Sequence, residues 1–378
     1  MHNSDDILSV FNKPNLLPSH IAQVIYDLFL LTVNSTNEKD KVNFILNFIK
    51  SNLKIDWSQT YHNVNRLRLS DYIFVKKRMK IYEFTKQFPD ETSCKMHFKA
   101  VREQEGIICK GCGSTNHYWL QAKWQWQCTE CRFRTTLRSG TVMQSAKLSF
   151  YKWYLCMAFM SSTKKGVSAL EMQRQLGHKR YRTIWVLMHK IRAGMGKRDD
   201  RYTLEGMIEL DEGYFEKATS FYAPLKRGRG SQTKTNVAIM AESTALEDLE
   251  TGAKSSQFRY AKMKVLTSHK SSEINDVATQ NISRTATLIT DKSTSYEDFS
   301  KLFETHLSFK SDKETTRTTL KWVHVNISNA KRNLLGVYHM MAGKYLQNYL
   351  NEFCYRLNRR YFGENLFNRI VVATVANN

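Results

Sequence analysis

Apolar residues recur at helical spacing through much of the first 200 positions. Ile21, Val24, Ile25 and Leu28 follow one another three or four positions apart, which is the pattern of one helix face. We therefore predict that residues 1–75 form a helical N-terminal segment. No chemistry is evident in this segment, so a packing or partner-binding role is the expectation. Further helices are predicted between Pro89 and Gly106, over residues 147–195, and from Ser328 onward.

After residue 205 the pattern becomes strand-like. Ile208 and Leu210 alternate with Glu209, Asp211 and Gly213, so the two sets point to opposite faces of a strand. Other strand-like runs cover residues 236–241, 260–266 and 285–290, and a helix is predicted over residues 272–280. The chain as a whole is expected to be a multidomain α+β protein with an α/β domain over residues 205–378.

Two of these strand-like runs carry an aspartate. Asp211 lies on the polar face of the first run, and Asp291 follows the run that ends at Thr290. Acids buried on a strand are costly unless a cation lies beside them, and carboxylate oxygens are the ligands that Mg²⁺ prefers. Two strands that each bring one aspartate to a shared ion suit metal-assisted phosphoryl chemistry. On the pattern alone, both residues are equally well explained as ordinary turn or strand-end acids.

Four of the cysteines form two Cys-x-x-Cys pairs, Cys109 with Cys112 and Cys128 with Cys131. Gly111 provides turn chemistry in the first pair, and the residues between the pairs alternate as in a hairpin. In a chain without a secretory signal, this spacing indicates Zn²⁺ binding and not disulfides. We predict a zinc ribbon with a preceding helix over residues 80–140. The alternative is a set of unpaired core cysteines.

A helical pair with basic flanks follows. Residues 168–171 have a capping-box pattern, and a second helix restarts at Tyr181 after a turn at Gly177. This is typical of a helix-turn-helix over residues 147–200, although generic helical hairpins share the pattern. The DNA-contact candidates are the basic residues here and in a glycine-rich loop further on: Lys164, Lys165, Arg174, Lys179, Arg180, Arg182, Arg227 and Arg229.

The charge of the chain favours a polyanionic partner. Lysine and arginine number 57 against 35 acids, a formal net charge of +22, and residues 95–200 alone hold 20 basic and 6 acidic residues. Nucleic acid is the first candidate and an anionic membrane surface the second. No secretory signal and no membrane-spanning run is apparent. We therefore expect a cytoplasmic protein with no membrane partner.

Together these blocks resemble a known family. They are similar to the bacterial insertion-sequence transposases of the ribonuclease H-like (DDE-type) superfamily, in the ISXO-type group with an N-terminal zinc ribbon. The resemblance covers roughly residues 80–360. Besides the cysteine pairs, it rests on residues 84–89, 163–171, 209–212, 227–230, 290–291 and 349–360. It implies a ribonuclease H-like catalytic core that acts on double-stranded DNA.

The resemblance also implies roles for individual residues. Asp211 and Asp291 fall on the first two of the family's three metal-holding positions, and Asn329 stands where the third is usually Glu. Some members of the group resemble this chain in carrying Asn followed by Lys. Lys331 is then expected to bring positive charge near the scissile phosphate. The implied cofactors are a structural Zn²⁺ and a catalytic Mg²⁺ or Mn²⁺.

The implied activity is that of a DNA transposase. Such a protein binds terminal inverted repeats and catalyses metal-dependent strand cleavage and strand transfer, as at least a dimer on DNA. One rival is a DNA-binding protein with an inactive nuclease-like domain, because Asn329 brings no charge. Another is a nuclease that acts without strand transfer. If Asn329 is not a ligand, the fallback metal ligands are Glu209, Glu212 and Glu352.

Overall fold

The computed structural model describes residues 79–216, 234–247, 254–268, 270–310, 312, 318–338 and 341–375. The predicted helical segment at residues 1–75 lies outside the described residues, as does the basic loop with Arg227 and Arg229. Within the described residues, the chain is mixed α/β with ten α-helices and two β-sheets. This confirms the expected mixture of helices and strands, while the domain boundaries stay predictions.

Two helices precede the cysteine pairs, α1 (Ile81–Gln87) and α2 (Glu91–Glu105). Asp90 starts α2, because its carboxylate accepts a hydrogen bond from the backbone amide of Ser93 at 2.7 Å. Gly106 ends the helix with a φ of 89°, a backbone conformation that glycine adopts without strain. The helix predicted in this stretch is thereby confirmed.

A three-stranded antiparallel sheet follows, built from β1 (His117–Leu120), β2 (Gln125–Cys128) and β3 (Arg134–Thr136). The β1–β2 pairing sets Trp119 opposite Trp126, with ring centroids 4.9 Å apart. The buried Trp126 also donates its indole N–H to a carboxylate of α2 at 3.0 Å. The small sheet is therefore attached to the helical core, and the predicted hairpin is present.

Three helices come next: α3 (Phe150–Ser162), α4 (Ala169–Gln175) and α5 (Tyr181–Asp200). Ser168 caps α4 by accepting a hydrogen bond from a first-turn backbone amide at 3.1 Å. Gly177, with a φ of 55°, lies in the turn that leads to α5. The helices α4 and α5 occur where the pattern predicted them. Their action as a helix-turn-helix stays a prediction.

The second sheet has five strands: β4 (Met207–Glu216), β5 (Lys234–Glu247), β6 (Lys254–Val265), β7 (Thr287–Asp291) and β8 (Thr305–Phe309). Their order across the sheet is β6-β5-β4-β7-β8. β5 runs antiparallel to both β4 and β6, whereas β7 is parallel to β4 and β8 is parallel to β7. This topology is consistent with a ribonuclease H-like core. β8 was not among the predicted strands.

Five further helices complete the described chain: α6 (Ser271–Asn281), α7 (Phe299–Leu302), α8 (Lys321–Tyr338), α9 (Leu346–Asn358) and α10 (Asn365–Val375). α6 and α7 pack on the face of the sheet that carries Ile208 and Leu210. α8 and α9 cover the opposite face, with Val237 and Ile239. α10 returns to the core formed by α1–α5. α8 begins ahead of the predicted start at Ser328, and its N-terminus lies against the acid-bearing face of β4.

Candidate active site

Asp211 and Asp291 lie side by side on the two central parallel strands. The parallel pairing of β4 with β7 ends at Glu209 and Ile289, two residues before Asp211 and Asp291, and the carboxylates are close enough for the charge of Asp291 to raise the pKa of Asp211. Neighbouring strands lie about 4.8 Å apart. Because side chains alternate along a strand, both carboxyls lie on the face opposite the apolar pair, which packs under α6. The structure therefore brings the two predicted aspartates together under α8.

The aspartate pair is partly buried, and its negative charge is not balanced by a described lysine or arginine. Burial is the main cause that raises the pKa of Asp211 to about 6. The charges of Asp291 and Glu212 raise it further, while the backbone N–H of Glu212, donated at 2.7 Å, lowers it. Among the described residues, no lysine or arginine forms an ion pair with either aspartate. Two facing carboxylates of this kind fit a divalent cation, which would offset their repulsion.

Glu209 joins the start of α8 to the strand that carries Asp211. Its Oε2 accepts the backbone amides of Trp322 at 2.7 Å and Val323 at 2.9 Å. These first-turn amides have no partner within the helix, and a carboxylate there is also stabilised by the helix dipole. Glu209 is 3% exposed, and burial raises its pKa to about 7. The position of α8 over β4 is thus fixed two residues from Asp211.

His324 and Lys331 lie on the side of α8 that faces Asp211. The imidazole Nε2 of His324 is 3.7 Å from Oδ2 of Asp211, and burial lowers the pKa of the ring. Lys331 follows seven residues later on the same helical face, with its Nζ 5.7 Å from the ring centroid of Phe215. His324 was not among the predicted site residues. The seven-residue spacing to Lys331 is the sequence signal that would have pointed to it.

Asn329 lies on a different side of the same helix. It follows His324 by five residues, which at 3.6 residues per turn is a rotation of about 140°. Its amide oxygen accepts a hydrogen bond from the guanidinium of Arg332 at 2.9 Å. No described contact joins Asn329 to the aspartates. Its part in metal binding therefore stays a prediction.

The other fallback ligands are engaged elsewhere. Glu352 of α9 is buried against Arg192 of α5, with 2.7 Å between Oε2 and Nε. Glu212 alternates to the face of β4 opposite Asp211 and accepts a hydrogen bond from the side-chain amide of Asn236. The surroundings of Glu352 are those of a structural ion pair that joins two helices.

The four paired cysteines form one cluster at the end of the small sheet. Their Sγ atoms all lie within 4.8 Å of one another, with 3.4 Å between Cys109 and Cys131 and 3.6 Å between Cys112 and Cys128. None of them is in a disulfide. Four sulfurs bound tetrahedrally to zinc at about 2.3 Å would lie about 3.8 Å apart. The cluster therefore has the dimensions of a closed, four-thiolate zinc site.

Backbone amides at this cluster favour the thiolate form that binds metal. The amide of Gly111 donates to Sγ of Cys109 at 3.4 Å. A backbone hydrogen bond from Cys131 is the main cause that lowers the pKa of Cys128 to about 6. Thiolates are the metal-binding form of cysteine, so the donor set fits Zn²⁺ in its chemistry as well as in its spacing.

The DNA-contact candidates of the helical segment are all exposed: Lys164, Lys165, Arg174, Lys179, Arg180 and Arg182. Lys164 and Lys165 lie in the loop between α3 and α4. Side chains of α8 and α9 hydrogen-bond to the backbone of this loop. Asn333 of α8 donates to the backbone carbonyl of Lys165 at 2.9 Å, and Arg356 of α9 donates to that of Lys164 at 3.1 Å. The lysine pair is therefore fixed relative to the helix that covers Asp211.

Paired aspartates on the central parallel strands of a five-stranded mixed sheet, with a helix across them, are consistent with the ribonuclease H-like class of proteins. Residues 203–358 match the family model of the ISXO2-like transposase domain. This match supports a DDE-type transposase domain of an insertion sequence over residues 203–358. The resemblance read from the sequence is confirmed.

The chain is also weakly similar to a solved structure. A chain in the crystal structure of a pre-cleavage Mos1 transpososome is similar over 56% of this chain and 75% of that one, at 8% sequence identity. The TM-score of 0.21 is too low for any structural argument. No curated protein matches the chain.

Within the described residues, no helix combines the length and the apolar character needed to cross a bilayer.

Proposed function

We propose that the chain is the transposase of an insertion sequence, and that Asp211 and Asp291 hold its catalytic Mg²⁺ or Mn²⁺. The observation that carries the proposal is the placement of the two carboxylates on adjacent parallel strands of the transposase domain. Neither is neutralised by a described lysine or arginine. When bound, the ion supplies an activated water and stabilises charge on the attacking and leaving oxygens.

The chain's own residues prepare this site. Glu209 fixes α8 against β4 through two backbone amides. Lys331, on the helix face that looks toward Asp211, is proposed to bring positive charge to the scissile phosphate. Asn329 is kept as a proposed contributor through its carbonyl oxygen, which can bind a hard cation without adding charge.

The proposed reaction has two phosphoryl-transfer steps. In the first, a water oxygen attacks phosphorus at the end of the element, the bond from phosphorus to the 3′ oxygen breaks, and that oxygen takes up a proton. In the second, the resulting 3′-hydroxyl loses its proton and attacks a phosphodiester of the target. The target's own 3′ oxygen leaves and is protonated. Each step exchanges one P–O bond for another, so positioning and charge stabilisation are what the protein must supply.

The remaining segments are proposed to hold DNA. Zn²⁺ at the four cysteines would contribute about 10–16 kcal/mol to folding a small sheet that has little core of its own. The exposed basic residues of the α3–α5 segment, with Arg227 and Arg229, would contact phosphates of the terminal inverted repeats. Pairing two element ends needs at least two copies of the chain. The expected place of action is the nucleoid, in the cytoplasm of a prokaryotic host.

A second candidate function is a DNA-binding protein whose transposase domain is inactive. The observation that favours it is Asn329, which brings no charge and whose described partner is Arg332. A site with only two acids holds a divalent ion less tightly than one with three. The two functions differ in one measurable property, which is Mg²⁺-dependent cutting of bound DNA.

The test uses the full chain with a supercoiled plasmid that carries its gene and the DNA flanking it on both sides. With Mg²⁺ and a target plasmid, wild type is expected to cut at the element ends and to yield joined products. Asp211→Asn should abolish both, whereas Glu216→Gln, an exposed acid on the same strand, should retain them. Binding without cutting supports the inactive alternative. Cutting without joining overturns the transposase proposal in favour of a nuclease.

A further inference from the structure

The imidazole of His324 lies beside the aspartate pair. Its Nε2 lies 3.7 Å from Oδ2 of Asp211, beyond the usual N–H···O distance of about 2.7–3.2 Å. Two ligands that bind one ion at about 2.1 Å each lie about 3.0–3.4 Å apart, in octahedral or tetrahedral geometry. The observed distance of 3.7 Å is therefore closer to the separation of two ligands on one ion than to the length of a direct hydrogen bond.

The backbone just before His324 is held in place. Oε2 of Glu209 accepts the amides of Trp322 and Val323, and the side chain of Val323 is fully buried. The indole N–H of Trp322 also donates to the hydroxyl of Ser256 at 2.8 Å. The position of the imidazole thus follows from buried contacts to β4 and β6. Such preorganisation is what a metal ligand requires.

We propose that His324 is a third protein ligand to the divalent ion of Asp211 and Asp291, a role that rests on the proposed metal site. Imidazole suits transition-metal ions, whereas Mg²⁺ strongly prefers oxygen. His324 therefore shifts the preference of the site from Mg²⁺ toward Mn²⁺. Val325, about 100° round the helix from His324, is the matched control, because it stands on the same helix, is 39% exposed and has no side-chain atom that binds a metal ion.

The experiment measures metal binding by the full-length protein in the absence of DNA. Mn²⁺ and Mg²⁺ affinities are determined by calorimetry for wild type, His324→Ala, Val325→Ala and Asp211→Asn. Pulsed electron paramagnetic resonance of bound Mn²⁺ detects hyperfine coupling to a directly bound ¹⁴N nucleus. Thermal unfolding without metal shows whether each variant is folded. His324 is partly exposed, so its truncation is expected to leave the fold intact.

Wild type should show ¹⁴N coupling that His324→Ala abolishes, with a loss of Mn²⁺ affinity of about tenfold or more, since even outer-shell changes at metal sites cost that much. The loss of Mg²⁺ affinity should be smaller, and Val325→Ala should keep both the coupling and the affinity. Mn²⁺ binding that needs Asp211 but shows no ¹⁴N coupling would overturn the role of His324 alone. Absence of Mn²⁺ binding in wild type would overturn the proposed metal site with it.

Discussion

The ion pair between Arg192 of α5 and Glu352 of α9 is predicted to be essential to the fold. Its side chains are 1% and 4% exposed, and Nε lies 2.7 Å from Oε2. Arg192 also donates to the hydroxyl of Tyr338 at 3.1 Å and lies 4.4 Å from the ring centroid of Tyr349. Glu352→Leu would leave the guanidinium buried without its carboxylate, with one described acceptor remaining.

The expected cost of that change is large. Removing one partner of a buried ion pair costs about 3–5 kcal/mol, because the remaining charge is left without compensation. A typical domain is stable by only about 5–15 kcal/mol in total. The combined change Arg192→Met with Glu352→Leu removes both charges together and should cost much less. The ion pair between Arg174 and Glu171 is the comparison, because its side chains are 68% and 44% exposed. Such a surface ion pair is expected to contribute only about 0–1 kcal/mol to stability.

Urea unfolding followed by far-ultraviolet circular dichroism measures these differences. The single variant should lose about 3–5 kcal/mol, the double variant should recover at least half of that loss, and Glu171→Ala should change little. If Glu352→Leu unfolds within about 1 kcal/mol of wild type, or if the double variant is no more stable than the single one, the assignment of a buried ion pair between α5 and α9 is wrong.

Three further predictions concern protons, zinc and DNA. Because burial raises the pKa values of Asp211 and Glu209 to about 6 and about 7, these two groups bind more protons in the metal-free folded state, and their contribution to the unfolding free energy should fall from about pH 4 to about pH 7. Urea unfolding of wild type and of the variant Asp211→Asn with Glu209→Gln at several pH values tests this: wild type should lose stability relative to the variant as the pH rises, and a difference that does not change with pH would contradict it. Wild type should contain one zinc ion per chain by elemental analysis, and Cys112→Ser none; equal zinc in both would refute the site. Changing Lys164 and Lys165 to Ala should weaken DNA binding and lower the slope of log K against log salt by about 1.8, whereas an unchanged slope would exclude phosphate contacts.

Local periodicity explains how much of the fold was predictable. The two faces of β4 follow from simple alternation, which is a property of consecutive residues. β8 was missed because it is an edge strand whose Leu307 and Phe309 are 43% and 37% exposed, so no buried alternation marks it. The early start of α8 was missed because its first amides bind Glu209, 113 residues earlier in the chain.

The residues of the candidate site were likewise predictable where neighbouring positions in the sequence mark them, and not where only tertiary packing does. The metal site of Cys109 and its three partner cysteines was predictable, because each Cys-x-x-Cys pair is recognised from two residues close together in the sequence. Asp211 and Asp291 were each marked by a strand-like run, and the register between β4 and β7 brings them together. His324 carried only the weak signal of its seven-residue spacing to Lys331, because a histidine in a helix reveals its role only when the packed face of that helix is known.

The central claim is that Asp211 and Asp291 bind one divalent ion. The most direct measurement is anomalous scattering from crystals of the full chain soaked in Mn²⁺. A single strong peak is expected within coordination distance of one oxygen from each carboxylate, and it should be lost in Asp211→Asn. A map with no peak between these two side chains at saturating Mn²⁺ would contradict it.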